Sequence, residues 1–381
     1  MKKYLSVCLA LVLLCCTLSV GTYAADAQTE LCFKQDGTFR IMQINDFQDT
    51  EKTNWKSLDF LDIVLDRYQP DLVVFVGDQL KNSYPKPTVD KLVRSLTHQL
   101  KPLQDRGIPF LYTFGNHDHD LDYMLTSEEQ AKVYDSFSMS RATHNGPDVG
   151  TYNRVIYGSD GVTPRLNIYM MDTHNWNDEA LMSGVNEAQV QWYKQTGNAL
   201  KEACSGKAVP SLVFQHIPVK EVYKLLKEVP AGTEGCVETP FSDKHYVLDE
   251  SKMIGDYNIM HEGVYSENIN KTTGQYEAWL EQGDIIGAYF AHDHANTFVG
   301  KTEDGVVLGY NGGFGFASYG DGAERYLRIY DFKESDVAGY KRTTLHYSQE
   351  VHFFDLVRLF FPRVRDVLRD VFRLDPLPSV K

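Results

Sequence analysis

The sequence predicts an α/β protein built on parallel strands with helices across them. Two observations carry this expectation. Short continuous apolar runs, such as Leu72 to Val76, have the character of strands buried on both faces. Between them, apolar residues recur at helical spacing, in a β-α-β-α-β rhythm. The 381 residues suffice for one large domain or two modest ones, and 43% hydrophobic content supports a real core.

In chain order, Phe39 to Ile44 is strand-like, and Leu58, Leu61, Ile63, Val64 and Leu65 share a helical face. Leu72 to Val76 ends in a glycine. Val89 to Leu103 repeats the helical spacing, and Pro109 to Phe114 is the next strand. Tyr152 to Tyr157 and Leu166 to Met171 form a strand pair around Ser159-Asp160-Gly161. Asn186 stands where it would cap a helix running to Ala203. Leu212 to Gln215 and Ile285 to Phe290 are short buried strands. Thr297 to Val299, Val306 to Tyr310 and Tyr326 to Phe332 suggest closing strands of a second sheet. From about Glu228 to Glu262 periodicity is weak, which predicts a long loop or insertion beside the site. From His352 to Leu374, phenylalanines, valines and leucines alternate with arginines, giving an amphipathic helix that Pro362 should interrupt or kink. Packing on the body or on another subunit, or a weak membrane-surface contact, would use that helix.

Asp and Glu number 52 against 38 Lys and Arg, so unspecific binding of DNA or RNA is not expected. Lys2-Lys3, the apolar Tyr4 to Val20 and small residues near Ala24 form a secretory signal peptide over 1–24. Its apolar run is roughly 17 residues against the ~20 a membrane span needs. A secreted, periplasmic or cell-envelope location follows. Cys32, Cys204 and Cys236 remain after cleavage, with Cys204–Cys236 a possible bridge, and Asn270-Lys271-Thr272 is a glycosylation sequon.

Chemistry concentrates in five segments, each behind an apolar run: Asp46-Phe47-Gln48, Gly77-Asp78, Gly115-Asn116-His117-Asp118, His216, and His292-Asp293-His294. Converging on one sheet edge, they would furnish a dinuclear metal centre beside a phosphate. Asp78 is the natural bridging ligand and Asp46 a ligand of one ion. Asn116, His216 and His292 would bind the other, and His294 would point back to the first. His117 is placed to protonate a leaving oxygen, with Asp118 holding its other ring nitrogen. His174 and Tyr310 are candidate substrate contacts, Asn311 and Phe314 candidate pocket residues, and His119 and Asp120 structural or solvated.

The order of these segments resembles the calcineurin-like metallophosphoesterase superfamily. Phe214-Gln215-His216-Ile217-Pro218, Glu262-Gly263-Val264-Tyr265-Ser266, His292-Asp293-His294-Ala295-Asn296 and Gly312-Gly313-Phe314-Gly315 resemble its purple-acid-phosphatase-like (Dcr2-type) branch. The resemblance spans roughly residues 39 to 333. It implies a four-layer α/β/β/α sandwich of two mixed sheets flanked by helices, with metals at the sheet edges. It also implies two divalent or mixed-valence ions (manganese, iron, zinc or magnesium) and a phosphomonoester hydrolysed by a metal-bridging hydroxide. The alternatives are a phosphodiesterase for nucleotides or lipid headgroups, and a catalytically silent metal-binding protein. On this reading residues 30–335 form the catalytic domain and 336–381 a C-terminal amphipathic helical extension. Three positions depart from the family pattern. Gln48 stands where histidine is usual and would be a weaker, neutral metal ligand. Ala291 replaces a glycine, and Lys81 stands where true purple phosphatases carry a tyrosine.

Overall fold

The computed structural model describes residues 30–175, 184–240, 242–265, 273–372 and 377–378. The signal segment, the Asn270 sequon and the end of the C-terminal stretch lie outside the described residues.

Two mixed sheets face each other. The five-stranded sheet has the order β16 (Asp336–His346), β15 (Tyr326–Lys333), β2 (Thr38–Ile44), β3 (Leu72–Val76), β4 (Phe110–Thr113). Strands β2, β3 and β4 are parallel, with helices α1 (Trp55–Tyr68) and α2 (Val89–Arg106) as their crossovers. Helix α1 starts where Asn54 Oδ1 accepts hydrogen bonds from the amides of Lys56 and Ser57 at 3.1 and 3.2 Å, and it ends at Gln69 in a left-handed turn. Its Leu58, Leu61, Val64 and Leu65 are buried against Val73, Phe75, Leu96 and Leu100. Each such side chain contributes about 1.5–3 kcal/mol by leaving water.

The eight-stranded sheet has the order β1 (Leu31–Cys32), β5 (Tyr152–Tyr157), β6 (Pro164–Met171), β7 (Ser211–Gln215), β12 (Ile285–Phe290), β14 (Val307–Tyr310), β13 (Asn296–Lys301), β11 (Ile259–Met260). Its centre, β6-β7-β12-β14, is parallel. Helices α5 (Glu187–Ala203) and α6 (Gln275–Gln282) cover its outer face through Val190, Tyr193 and Trp279. The predicted cap of α5 is reciprocal: Asn186 accepts from the Gln189 amide at 3.0 Å, and Gln189 Oε1 accepts from the Asn186 amide at 2.7 Å. Between the sheets, Tyr330 meets Phe214 and Tyr289 with ring centroids 5.7 and 4.5 Å apart. The buried Arg328 reaches across to Thr297 Oγ1 at 3.0 Å. The layers run helix, sheet, sheet, helix, as the resemblance implies.

Five expectations change. The suggested closing strands do not form one new sheet: β13 and β14 extend the eight-stranded sheet, while β15 pairs with β2 in the five-stranded one. Periodicity marks a strand but not its partner. The 228–262 segment is not a structureless loop. It closes a three-stranded sheet from β8 (Leu226–Val229), β10 (His245–Leu248) and β9 (Val237–Glu238), and also contains β11. The segment 336–381 opens with an eleven-residue strand, β16, so the sheets extend to His346, and a single turn, α7 (Tyr347–Glu350), follows. Pro362 does not interrupt the helix α8 (Phe353–Val371), which continues on both sides of it. Cys204 and Cys236 are thiols, not a bridge: one closes α5, the other lies in the β8–β9 connection. No helix among the described residues is long and apolar enough to cross a membrane.

Candidate metal centre

The carboxyl ends of β2, β3 and β4 point the same way, because these strands are parallel, and those of β7 and β12 reach the same place from the opposing sheet. Each end delivers one predicted segment: Asp46 and Gln48, Asp78, Asn116 with His117, His216, and His292 with His294. Asn116–His119 forms a single helical turn, α3, and Ser127–Asp135 the helix α4 behind it. Asp46, Gln48, Asp78 and His292 all adopt left-handed backbone, with φ of 54°, 46°, 54° and 86°. Such conformations cost on the order of 1–3 kcal/mol each and cluster where side chains must be aimed. Two glycines let the ends meet. A Cβ on Gly77 would stand 2.6 Å from the Gly115 nitrogen, and one on Gly115 would stand 2.3 Å from Asp78 Oδ1.

The cluster is dry. Asp46, Asp78 and His216 have no solvent exposure, and Gln48, Asn116 and His294 have almost none. His216 donates Nδ1–H to the Val76 carbonyl at 2.9 Å, leaving Nε2 3.2 Å from Asp78 Oδ2 and 3.9 Å from Asp46 Oδ1. His294 likewise donates Nδ1–H to the Tyr319 carbonyl at 2.8 Å, and its Nε2 lies 3.2 Å from Asp46 Oδ1. His292 Nδ1 lies 3.3 Å from His216 Nε2. Asp78, His216 and His292 place ligand atoms within 4.8 Å of one another. Gln48 Nε2 donates to Asp78 Oδ2 at 3.0 Å and lies 3.2 Å from His294 Nε2.

Burial opposes charge throughout this cage, and mutual attraction outweighs it at most positions. Burial works against ionising Asp46 and Asp78, yet His294 and His216 hold the first, and His216 and His117 the second, below the ordinary carboxylate range. His216 is held up to about 10 by Asp78 and Asp46 despite its burial. His292, pressed by burial and by His216, is lowered to about 3. Asp46 Oδ1 and Asn116 Oδ1 are buried with no hydrogen-bond partner. Two carboxylates, inward imidazole nitrogens and orphaned oxygens form a donor set that fits divalent cations.

A family model of the calcineurin-like phosphoesterases matches residues 39–296, more than half of the chain. The chain belongs to this family. Among its relatives is the probable inactive purple acid phosphatase 28 of Arabidopsis thaliana, 26% identical over 325 residues, 76% of this chain and 74% of that one. The phosphatase DCR2 of Saccharomyces cerevisiae is 25% identical over 353 residues, 85% of this chain and 57% of that one. Among solved structures, a dimetal phosphatase from Danio rerio aligns with a TM-score of 0.46 and 13% identity, over 81% of this chain and 98% of that one. The expected branch is thus borne out by relatives of both names.

In this calcineurin-like phosphoesterase the seven expected ligand positions come together, but the proton-donor turn differs from expectation. Asp118 does not touch the His117 ring. Its oxygens accept from the amides of Asp78, Gly115 and Leu80 at 2.6, 2.9 and 3.0 Å, locking α3 onto the end of β3. Burial and the neighbouring Asp78 raise it to about 7. The partner is Asp120, whose Oδ2 lies 2.8 Å from His117 Nδ1, while Asn175 donates to its Oδ1 at 2.8 Å. On a helical turn, a residue three positions on shares a face and an adjacent one does not. Spacing alone could have shown this. His119 is also committed: its Nε2 lies 2.9 Å from Asp172, which tethers α3 to the end of β6.

The two expected substrate contacts divide. His174, in left-handed backbone with φ 57°, is partly exposed beside the turn, ring-stacked on His119 at 5.8 Å. Tyr310 is fully buried, its hydroxyl on Asp293, so it has no surface to offer a substrate. Asn311 and Phe314 are buried too: Asn311 donates to Asn45 Oδ1 at 2.6 Å between the sheets, and Phe314 stacks on Phe60 of α1 at 4.7 Å. Tyr319 was not foreseen. It stacks on His294 at 4.2 Å with the rings nearly parallel, and is half exposed. It comes from an irregular loop carrying no readable motif.

Proposed function

We propose that this chain is an exported phosphomonoesterase working with two metal ions. The observation that carries this reading is the pair of orphaned buried oxygens, Asp46 Oδ1 and Asn116 Oδ1, facing a cage of imidazole nitrogens. Asp46, Gln48, Asp78 and His294 would hold one ion; Asp78, Asn116, His216 and His292 the other. When bound, such ions make water nucleophilic at neutral pH and offset phosphate charge. His117, with Nδ1 engaged by Asp120, has Nε2 left to give a proton to the departing alcohol oxygen as the P–O ester bond breaks. The half-exposed ring stands at the mouth of the cage, where a phosphate would enter. Acid-phosphatase names among the relatives support a monoester over a diester. Lys2-Lys3 and the apolar stretch behind them support export.

A second reading, a silent metal-binding protein, draws on Gln48 and on the "inactive" in the names of several relatives. As placed, its amide N–H groups occupy Asp78 and His294, where a metal would need lone pairs. Rotating the amide half a turn presents Oε1 to the same point, so the position serves either role. Metal quantification with parallel assays on p-nitrophenyl phosphate and bis-p-nitrophenyl phosphate separates the readings. Two ions per chain and monoester hydrolysis are expected. Diester turnover alone would shift the substrate class. One ion and no hydrolysis under added manganese would establish the silent protein.

A further inference from the structure

Helix α8 turns its charged side to the body and its apolar side outward. Arg363 binds Asp59 and Asp62 of α1 at 2.7 and 2.8 Å, with its guanidinium 5.2 Å from the Trp55 ring. Arg358 reaches Asp66 at 2.9 Å, and Asp355 receives Arg67 at 3.2 Å. Beyond the helix, Leu377 packs on the core beside α2, so α8 is anchored along its length and at its end. On the opposite side Phe353, Phe354 and Phe361 are 73%, 82% and 78% exposed. An amphipathic helix of a soluble domain ordinarily does the reverse. With ~150–250 Å² per phenylalanine, the exposed side presents on the order of 1,000 Å² of apolar surface. The largest patch on a typical monomer is about 300–600 Å².

We propose that a second copy of this chain covers that face, α8 against α8 across a twofold axis. The seam is in the sequence: Phe353, Val357, Phe360, Val364, Val367 and Val371 recur at alternating steps of four and three, the spacing that keeps one helix against another. Phe354, Phe361 and Leu368 flank it every seventh residue and widen the stripe. Two such faces brought together withdraw an area near the ~1,600 Å² of a stable interface. The pairing is isologous, since the same patch serves both partners. Charge speaks against a bilayer as the occupant. Surface-lying helices keep basic residues for headgroups, whereas Arg358 and Arg363 are engaged by the body's aspartates, and the chain carries a net charge of −14.

The test is sedimentation equilibrium of the purified protein without detergent, beside its Phe360→Glu and Val364→Arg variants. A dimer is expected, with the molar mass halved in each variant and circular dichroism unchanged. A wild-type monomer at about 100 µM, or a dimer that persists in both variants, would overturn the proposal. So would a wild-type monomer that cosediments with phosphatidylcholine vesicles and loses this on Phe360→Glu, assigning the face to lipid. Should one variant fold poorly, the other and the wild-type measurement still decide.

Discussion

His117 rests its Nδ1 on Asp120, and in the proposed mechanism its value to the reaction depends on that one carboxylate. His117→Ala should leave two ions bound while kcat falls ~10²–10⁴-fold; unchanged turnover would remove it from the mechanism. Asp120→Asn keeps an acceptor but loses the charge that orients the ring. A roughly ten- to hundredfold drop in kcat at constant KM and metal content is expected. A change confined to KM would place Asp120 in substrate binding instead. Gln48→His replaces an amide N–H aimed at Asp78 and His294 with an imidazole lone pair. Metal analysis at limiting manganese should show higher occupancy than wild type. Lys81 donates to the Ala317 carbonyl at 3.0 Å, and without a tyrosine there no tyrosinate-to-iron absorption band is expected on iron loading. The candidate ligand residues were legible because each follows a strand. Asp120 could have been read from its three-residue spacing to His117, whereas Asn175 and Tyr319 could not, since they come from loops that share no period with their targets.

Among the elements, α4 is joined to the connection before β5 by an ion pair of its own. His144 Nε2 lies 2.7 Å from Asp135, and that hydrogen bond raises its pKa against the opposing effect of burial. A raised folded-state pKa means the stabilisation is fully present below the unfolded value of about 6.5 and fades as pH climbs through the folded one. His144→Asn tolerates the same left-handed backbone, φ 47°, without the charge. The wild-type advantage in urea midpoint should therefore be largest below pH 6.5 and shrink as pH rises above it. An advantage that grew with pH would contradict the pairing. Helix α1 depends on Asn54 at its start, and Asn54→Ala should cost about 1 kcal/mol in the same assay. Both helix caps, at Asn54 and Asn186, arise from local chemistry, which is why the Asn186 cap could be read directly from residue order. The 228–262 strands could not, because two- and four-residue strands carry too few alternations to register.

For the whole molecule, the metal cage is where two sheets meet, so metals should bear on global stability as well as catalysis. Ligands that bind only the folded state add about 3 kcal/mol at one hundred times Kd. Removing metals with a chelator should lower Tm clearly, and readdition should restore it; an unchanged Tm would argue that the cage binds nothing tightly. Residue order by itself determined the α/β class, the chain positions of the parallel strands and the seven metal-ligand candidates, because burial and turn chemistry are written locally. Tertiary structure alone decided which sheet each late strand joins, that Tyr310 is sealed inside, and that the apolar side of α8 faces outward. Those outcomes depend on contacts between segments far apart in the chain, and periodicity shows that a face is apolar without showing what it will meet.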